Sequence, residues 1–114
     1  MPVRSLGTAV FVWPDAATVK TAALRWAEGV RRTDGDVAAV GYFGSYARGD
    51  WGVGSDLDLV VILTNSTLPF ERRATRLDTI GLPVPADVLV YTVTEWASLA
   101  TRPRQVSWLS GSAP

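Results

Sequence analysis

The sequence contains no cysteine and no histidine among its 114 residues. Without cysteine, the chain forms no disulfide and offers no thiolate to a metal ion. Without histidine, it has no imidazole ligand, no Ser-His-Asp triad and no histidine base. Any catalysis must therefore use carboxylates, hydroxyls, arginine and a metal ion held by oxygen ligands.

The chain also lacks net charge and long apolar runs. Eleven basic residues balance eleven acidic ones. A neutral chain has no strong positive field to attract duplex DNA, which argues against nucleic acid as a direct partner. No signal-peptide pattern opens the sequence and no apolar run is long enough to span a bilayer. We therefore expect a cytoplasmic protein that does not associate with membranes.

The composition is that of an ordinary globular domain, with 47% hydrophobic and 19% charged residues. A chain of this length can bury one core but not two. We therefore expect residues 1–114 to form a single domain. The last five residues, 110–114, are small and polar apart from a closing proline, and we expect this tail to fray.

Two apolar runs separated by a Gly-Ser bend organise the chain. The first run, Val37–Phe43, predicts a strand that ends at Gly44-Ser45. The second, Leu57–Leu63, is apolar at nearly every position, which predicts a strand buried on both faces. Side chains alternate along a strand, so Asp56 and Asp58 point the same way, with Cα atoms about 7 Å apart.

This carboxylate pair indicates a metal and phosphate site. Two carboxylates at the mouth of a buried strand repel each other, and a divalent cation compensates that repulsion. Magnesium commonly takes one or two carboxylates plus substrate phosphates, which indicates a bound nucleotide. Gly44 allows a phosphate to approach the backbone, and the Ser45 hydroxyl and nearby amides donate hydrogen bonds to it. Arg48, one turn on, adds a charged donor.

Simpler interpretations of the same residues stay open. A Gly-Ser pair is common at turns, and Asp56 taken alone fits a turn or N-cap residue. An acidic cluster also fits a structural calcium or magnesium site without turnover, although the EF-hand spacing is absent. The chain has no P-loop sequence.

The motif resembles a known family signature. Gly44-Ser45, ten intervening residues and Asp56-Leu57-Asp58 resemble the G-S-x10-D-x-D pattern of the polymerase β-like nucleotidyltransferase superfamily. The surrounding segment, GSYARGDWGVGSDLDLVV, is similar to its minimal nucleotidyltransferases, including the antitoxins of HEPN–MNT toxin–antitoxin pairs, and the order of the elements around it agrees from about Asp15 to Trp96. The resemblance implies a mixed α/β fold with helices packed on a central sheet. It also implies a third carboxylate on a later neighbouring strand, for which Asp87 is the candidate.

The resemblance further implies a reaction. Asp56, Asp58 and Asp87 would hold two Mg²⁺ ions, and Asp87 would take or steer the acceptor's proton. The nucleotide-contacting set is Gly44, Ser45, Arg48 and Ser55. AMP from ATP would pass to a hydroxyl, and pyrophosphate would leave.

The acceptor is the open part of this hypothesis, because we expect one core domain and no additional region that could hold an acceptor. Either another subunit of a homo- or hetero-oligomer supplies the acceptor site, or the acceptor is a protein. The antitoxin resemblance favours a tyrosine of a HEPN-type toxin. The alternatives are a non-catalytic antitoxin that acts by contact, and a subunit that modifies a small hydroxylated molecule.

The remaining elements follow from periodicity and turn residues. Asp15 is predicted to cap a helix that runs to Arg32, and Thr94 to cap the last helix. The arginines of the predicted helix Pro69–Ile80 fit a solvated face or a contact with triphosphate or a partner. Together the patterns predict an α/β sheet with helices against it. The other predicted elements are strands at Leu6–Trp13 and Ala86–Thr92, and Gln105–Leu109 fits either a short strand or a packed tail.

Overall fold

The structure is a computed structural model that describes residues 13–99, 102–103 and 105–114. The predicted strand Leu6–Trp13 lies outside the described residues except for Trp13. Helix α1 spans Ala16–Thr33 and is followed by strand β1, Val37–Phe43. The remaining elements are helix α2 (Ser45–Arg48), strand β2 (Leu57–Leu63), helix α3 (Phe70–Arg73), a 3-10 turn (Ala74–Arg76), strand β3 (Ala86–Thr92), helix α4 (Val93–Ser98) and strand β4 (Ser107–Gly111).

Within the described residues the strands form one mixed sheet in the order β3-β2-β1-β4. β1 pairs antiparallel with both β2 and β4, whereas β2 and β3 run parallel. The predicted mixed α/β fold is therefore confirmed. β2 is central and its apolar residues are buried on both faces, as its continuous apolar sequence predicts.

Helix α1 covers one face of the sheet. Asp15 accepts a hydrogen bond from the Thr18 amide, which confirms the predicted N-cap. The buried residues Val19, Ala23 and Ala27 recur at helical spacing and pack against side chains of β1 and β2. α4 and the segment that precedes β4 cover the opposite face, where Trp96 packs with Val60 and Ile62. No helix in the described part of the chain combines the length and hydropathy needed to cross a membrane.

The helix predicted over Pro69–Ile80 is wrong in its extent. Only Phe70–Arg73 is α-helical, and a 3-10 turn ends at Arg76. The Asp78 side chain accepts a hydrogen bond from the Ile80 amide, a local turn that competes with helix. Its carbonyl accepts from the Trp26 indole on α1, so tertiary contact holds the segment in a non-helical conformation.

The C-terminal predictions also need correction. Thr92, rather than Thr94, caps α4, because Thr92 and Glu95 form a reciprocal capping box. The last strand is Ser107–Gly111 rather than Gln105–Leu109. It includes the first two residues of the tail that we expected to fray, because Ser110 and Gly111 pair with β1.

Candidate active site

The two ends of the motif meet at one edge of the sheet. β1 ends at Phe43, and Gly44 turns the chain at φ 73° into the short helix α2, which Ser45 begins. Gly49, at φ 85°, ends α2 in the left-handed region. A non-glycine residue would be strained at either position, so the two glycines bracket the helix for a conformational reason.

The register of the sheet places Asp58 beside Asp87. β2 and β3 are parallel, with Leu57 opposite Ala86 and Asp58 opposite Asp87. Aligned residues on neighbouring parallel strands project to the same face. On the other side of β2, Asp58 is opposite Phe43, the last residue of β1. The candidate third carboxylate therefore lies next to the Asp-x-Asp strand.

Gly44 contacts the Asp58 carboxylate directly. A Cβ built on Gly44 would overlap Asp58 Oδ2 and lie 3.1 Å from the carboxyl carbon. Only a residue without a side chain allows the backbone to approach this carboxylate so closely. The Gly-Ser bend and the Asp-x-Asp strand, ten residues apart in sequence, thus form one site.

The electrostatics of the site follow from its three carboxylates. Partial burial raises the pKa of the Asp58 carboxyl above its usual value, and the neighbouring charges of Asp87 and Asp56 raise it further. The Arg48 guanidinium partly offsets this shift. The negative charges of Asp56 and Asp87 therefore both act on the Asp58 carboxylate, and a cation would relieve the repulsion.

These carboxylates have the ligand chemistry that a hard divalent cation requires, but their positions do not form a preformed metal site. Magnesium takes oxygen ligands, and the three aspartates offer only oxygen. Within residues 13–99, 102–103 and 105–114, no three acidic side chains converge closely enough to form a metal cluster. The magnesium site stays a prediction.

The loop between the two ends of the motif is held by aromatic residues. Tyr46 is fully buried and its ring stacks on Trp51 with centroids 5.5 Å apart. Its hydroxyl accepts a hydrogen bond from the Trp13 indole at 3.2 Å and donates to the Ser55 carbonyl at 3.4 Å. The Ser55 hydroxyl accepts from the Gly52 amide at 2.9 Å, so this predicted nucleotide contact also shapes the loop. The sequence motif did not identify Tyr46 as the residue that ties α2 to Ser55, the residue before Asp56.

Arg48, which is predicted to contact the nucleotide, and Arg73, for which a triphosphate contact is one alternative, have different environments. Arg48 is exposed and its Nε lies 3.0 Å from Asp50 Oδ2, a surface pair that contributes little stability. Arg73, by contrast, is buried and donates to the Leu68 and Val90 carbonyls and to both oxygens of Glu95. Arg73 therefore anchors α3 to β3 and is not available to a triphosphate.

A groove of about 730 Å³ opens beside the carboxylates. Leu89 and Tyr91 follow Asp87 at two-residue steps along β3, so their side chains share its face of the sheet. This alternation was visible in the sequence, but the residues opposite come from distant segments. The groove is lined by Phe43, Gly44, Arg48, Leu89, Tyr91, Arg102, Pro103 and Gln105.

Solved structures share this fold. A protein from Sulfolobus solfataricus, provisionally named a nucleotidyltransferase, matches with a TM-score of 0.60 at 20% identity over 90% of each chain. A chain of a toxin–antitoxin structure determined with AMP-PNP matches with a TM-score of 0.51 at 18% identity, over 82% of this chain and 73% of that chain. At these identities the likeness establishes the fold alone.

A family model supplies the assignment that structural likeness does not. Among curated proteins, none matches this sequence. The model of the nucleotidyltransferase domain matches residues 24–100, a span that includes the Gly-Ser bend and all three aspartates. The chain therefore belongs to the nucleotidyltransferase domain family.

Proposed function

We propose that this protein transfers AMP from ATP to a hydroxyl group with the help of Mg²⁺. The observation that supports this most directly is the register that sets Asp58 beside Asp87, with Gly44 against the Asp58 carboxylate. Membership of the nucleotidyltransferase family supports nucleotidyl transfer as the class of reaction. The nucleotide, the metal and the acceptor are our proposals.

In this mechanism Asp56, Asp58 and Asp87 hold the metal ions. Bound magnesium supplies charge neutralisation and orients the reacting oxygens. The Ser45 hydroxyl and the backbone at Gly44 bind the terminal phosphates of the nucleotide. Catalysis is then mostly positioning and electrostatic stabilisation, which needs no histidine or cysteine.

The remaining candidate residues have supporting roles. Arg48 adds positive charge near Asp58, consistent with its opposite effect on the pKa of that carboxyl. Ser55 holds the loop that leads into Asp56 and offers a hydroxyl beside the nucleotide. Asp87, exposed at the start of β3, accepts or directs the proton of the attacking hydroxyl. The O–P bond to α-phosphate forms as the α–β phosphoanhydride bond breaks, and pyrophosphate leaves.

We further propose that the acceptor is a tyrosine of a HEPN-type toxin and that this chain is its antitoxin. The fold match to a toxin–antitoxin structure with AMP-PNP supports a protein partner and a nucleotide. A tyrosine hydroxyl is chemically suited to attack the α-phosphate once its proton is removed.

A labelling experiment tests this proposal. The purified protein is incubated with Mg²⁺, ATP labelled at the α-phosphate and the protein encoded by the adjacent gene. We expect label on a tyrosine of the partner, loss of at least 100-fold in rate for Asp58→Asn, and no change for Asp36→Asn, an exposed aspartate outside the site. Label on a small hydroxylated molecule with an unmodified partner would overturn the protein-acceptor proposal.

Neutralisation of the toxin separates catalysis from simple contact. If the double variant Asp56→Ala/Asp58→Ala protects cells as well as the wild type does, the protein acts as a binding antitoxin. If protection is lost while the variant keeps its thermal stability, catalysis is required.

A further inference from the structure

We propose that a second groove, lined by Trp26, Gly29, Arg32 and Arg76, docks a part of the partner protein that carries a carboxylate beside an apolar side chain. We call it the α1 groove. This inference rests on the proposed function in one respect, because it takes the acceptor to be a protein. It concerns how that partner is held, and it uses none of the residues that we assign to nucleotide or metal.

The α1 groove lies far from the carboxylates of the candidate active site. It has a volume of about 500 Å³ and separates the C-terminal half of α1 from Arg76 and Leu77. The end of α1 leads through a short turn into the start of β1, whereas the Gly-Ser bend follows the end of β1. The seven residues of β1 span about 20 Å. A molecule in the α1 groove therefore occupies a separate site.

Gly29 leaves one wall of the α1 groove open. It lies inside α1, where glycine is less favourable than alanine. Apart from the backbone of the helix itself, the only described atom within 4 Å of a Cβ built at Gly29 is a side-chain nitrogen of Arg32, at 3.9 Å. Packing among the described residues therefore does not require a glycine here. A bare helix backbone does allow another chain to approach closely.

The charge that remains unmatched in the α1 groove is positive. Its two acidic residues already accept local hydrogen bonds, Asp34 from the Asp36 amide and Asp78 from the Ile80 amide. Arg32 is exposed, and among the residues that the structure describes, no hydrogen bond or ion pair engages its guanidinium.

Arg76 adds a second guanidinium on the facing wall. Its side chain is 62% exposed, and its Nη2 lies 3.6 Å from Asp34 Oδ2, a distance too long for a hydrogen bond. Such an exposed ion pair is weak and leaves most of the donors of Arg76 to another partner. Arginine binds carboxylates through paired N–H donors, so the charge of the α1 groove is complementary to a carboxylate.

Apolar surface lies within the α1 groove and continues beyond it. The Trp26 indole is half-buried, and its Nε1 donates a hydrogen bond of 2.8 Å to the Asp78 carbonyl, which holds the ring in place. Ile80, two residues beyond Asp78, is 89% exposed. One exposed isoleucine is ordinary, but apolar surface rimmed by charge marks protein contacts. A small anion would leave Ile80 in water, whereas a protein segment covers both Ile80 and the groove.

The distance between the two sites has a kinetic consequence. The docked part of the partner and the hydroxyl that attacks the nucleotide must be different parts of the same protein, about 20 Å apart. Docking then raises the effective concentration of that hydroxyl at the active site. Loss of docking should therefore raise the KM for the partner and leave kcat nearly unchanged.

Calorimetry and transfer kinetics with the full chain test the inference, with the protein encoded by the adjacent gene as the probe. We expect Arg32→Glu to raise both the Kd and the KM for this protein about tenfold, with kcat within about twofold of the wild type. Lys20→Glu makes the same charge reversal at an exposed position of α1 outside the α1 groove, and it should change neither constant. Both variants should bind a non-hydrolysable ATP analogue with Mg²⁺ as the wild type does.

Gly29→Ala separates docking from folding. Removal of a glycine from the helix interior should raise the Tm by about 3 °C. The added methyl group should nevertheless weaken partner binding about fivefold, because it fills the open wall of the α1 groove. Higher stability with lower affinity cannot result from misfolding. Gly35→Ala, which has open space around its Cβ and lies outside the α1 groove, should leave partner binding unchanged.

Three results would overturn the inference. If Arg32→Glu and Gly29→Ala bind the partner as tightly as the wild type does, the α1 groove is not the docking site, while label on the partner would still support the proposed function. If the wild type self-associates in sedimentation and Arg32→Glu prevents this, the groove is a contact between two copies of this chain. If the wild type binds the ATP analogue but not the partner, docking and the protein acceptor both fail. Conversely, partner binding that depends on Arg32 without AMP transfer would support docking and refute the proposed reaction.

Discussion

Gly44→Ala is the most informative single substitution in this protein. The added methyl group would overlap Asp58 Oδ2, because the glycine backbone already lies against the carboxylate. Either the Asp58 side chain or the bend at Gly44 must then move by roughly 1 Å, and a displacement of that size in a reacting site can cost about 100-fold in rate. We expect loss of AMP transfer of this order, with nucleotide binding weakened as well.

Gly49→Ala is a matched control for the backbone cost. Gly44 and Gly49 both have positive φ, 73° and 85°, so alanine is strained at either position by about 1 kcal/mol. Nothing lies within 4 Å of a Cβ at Gly49. Gly49→Ala should therefore melt about 4 °C below the wild type, and Gly44→Ala, which adds the overlap with Asp58, at least as far below. Only Gly44→Ala should also lose activity.

Two assays on the same preparations separate these effects. Thermal melting followed by circular dichroism reports the shared backbone strain, and release of pyrophosphate from Mg-ATP with the acceptor present reports the chemistry. Equal activity in Gly44→Ala and Gly49→Ala would refute the argument that the contact with Asp58 positions a reacting group.

Three further substitutions test the electrostatics and the packing. Because the folded-state pKa of the Asp58 carboxyl is raised, ionisation of Asp58 opposes folding above pH 3.8. Asp58→Asn should therefore raise Tm in metal-free buffer at pH 7 and leave Tm unchanged below pH 3.8. An unchanged or lower Tm at pH 7 would contradict this. The hydrogen bonds from Arg73, and then the one from the Thr92 amide, hold the pKa of Glu95 at about 2 against an ordinary 4.5, so the stabilisation is complete above pH 4.5 and is lost as pH falls towards 2. Since the Glu95 side chain is 40% exposed, Glu95→Gln should lower the free energy of unfolding by only about 1–2 kcal/mol at pH 7. Urea denaturation should show a smaller difference in this free energy between the wild type and the variant at about pH 2.5 than at pH 7. Gly41→Ala would place a Cβ 2.9 Å from the Ser107 carbonyl oxygen, so it should destabilise the sheet by about 1–3 kcal/mol in the same measurement, whereas Gly35→Ala, with open space around its Cβ, should not.

Local sequence signals were sufficient where neighbouring residues decide the structure. β1 and β2 lie where the apolar runs predict them, and β1 ends at the predicted Gly-Ser bend. The cap at Asp15 depends on an amide three residues away, and it too is as predicted. The helix predicted beyond Arg76 does not form, because the conformation of this segment depends on a contact with Trp26. Trp26 is distant in sequence and approaches only in the folded chain.

The same distinction applies to the candidate site. Sequence spacing alone identified Asp56 and Asp58 as a pair, because alternation along one strand is a local property. Which strands lie next to it depends on the topology of the sheet. The parallel pairing of β2 with β3 decides that Asp87 lies beside Asp58, and the antiparallel pairing with β1 brings Gly44 against the same carboxylate.

The sequence by itself determined the chemistry available to this protein: oxygen ligands, hydroxyls and arginine, arranged around a bend and a buried strand. The tertiary structure decided which of these groups meet. Arg73 became part of the core, because its donors bind carbonyls and a carboxylate that only folding brings together. The groove beside the carboxylates likewise combines side chains from β1, β3 and the segment before β4, and no local pattern specifies such contacts between distant segments.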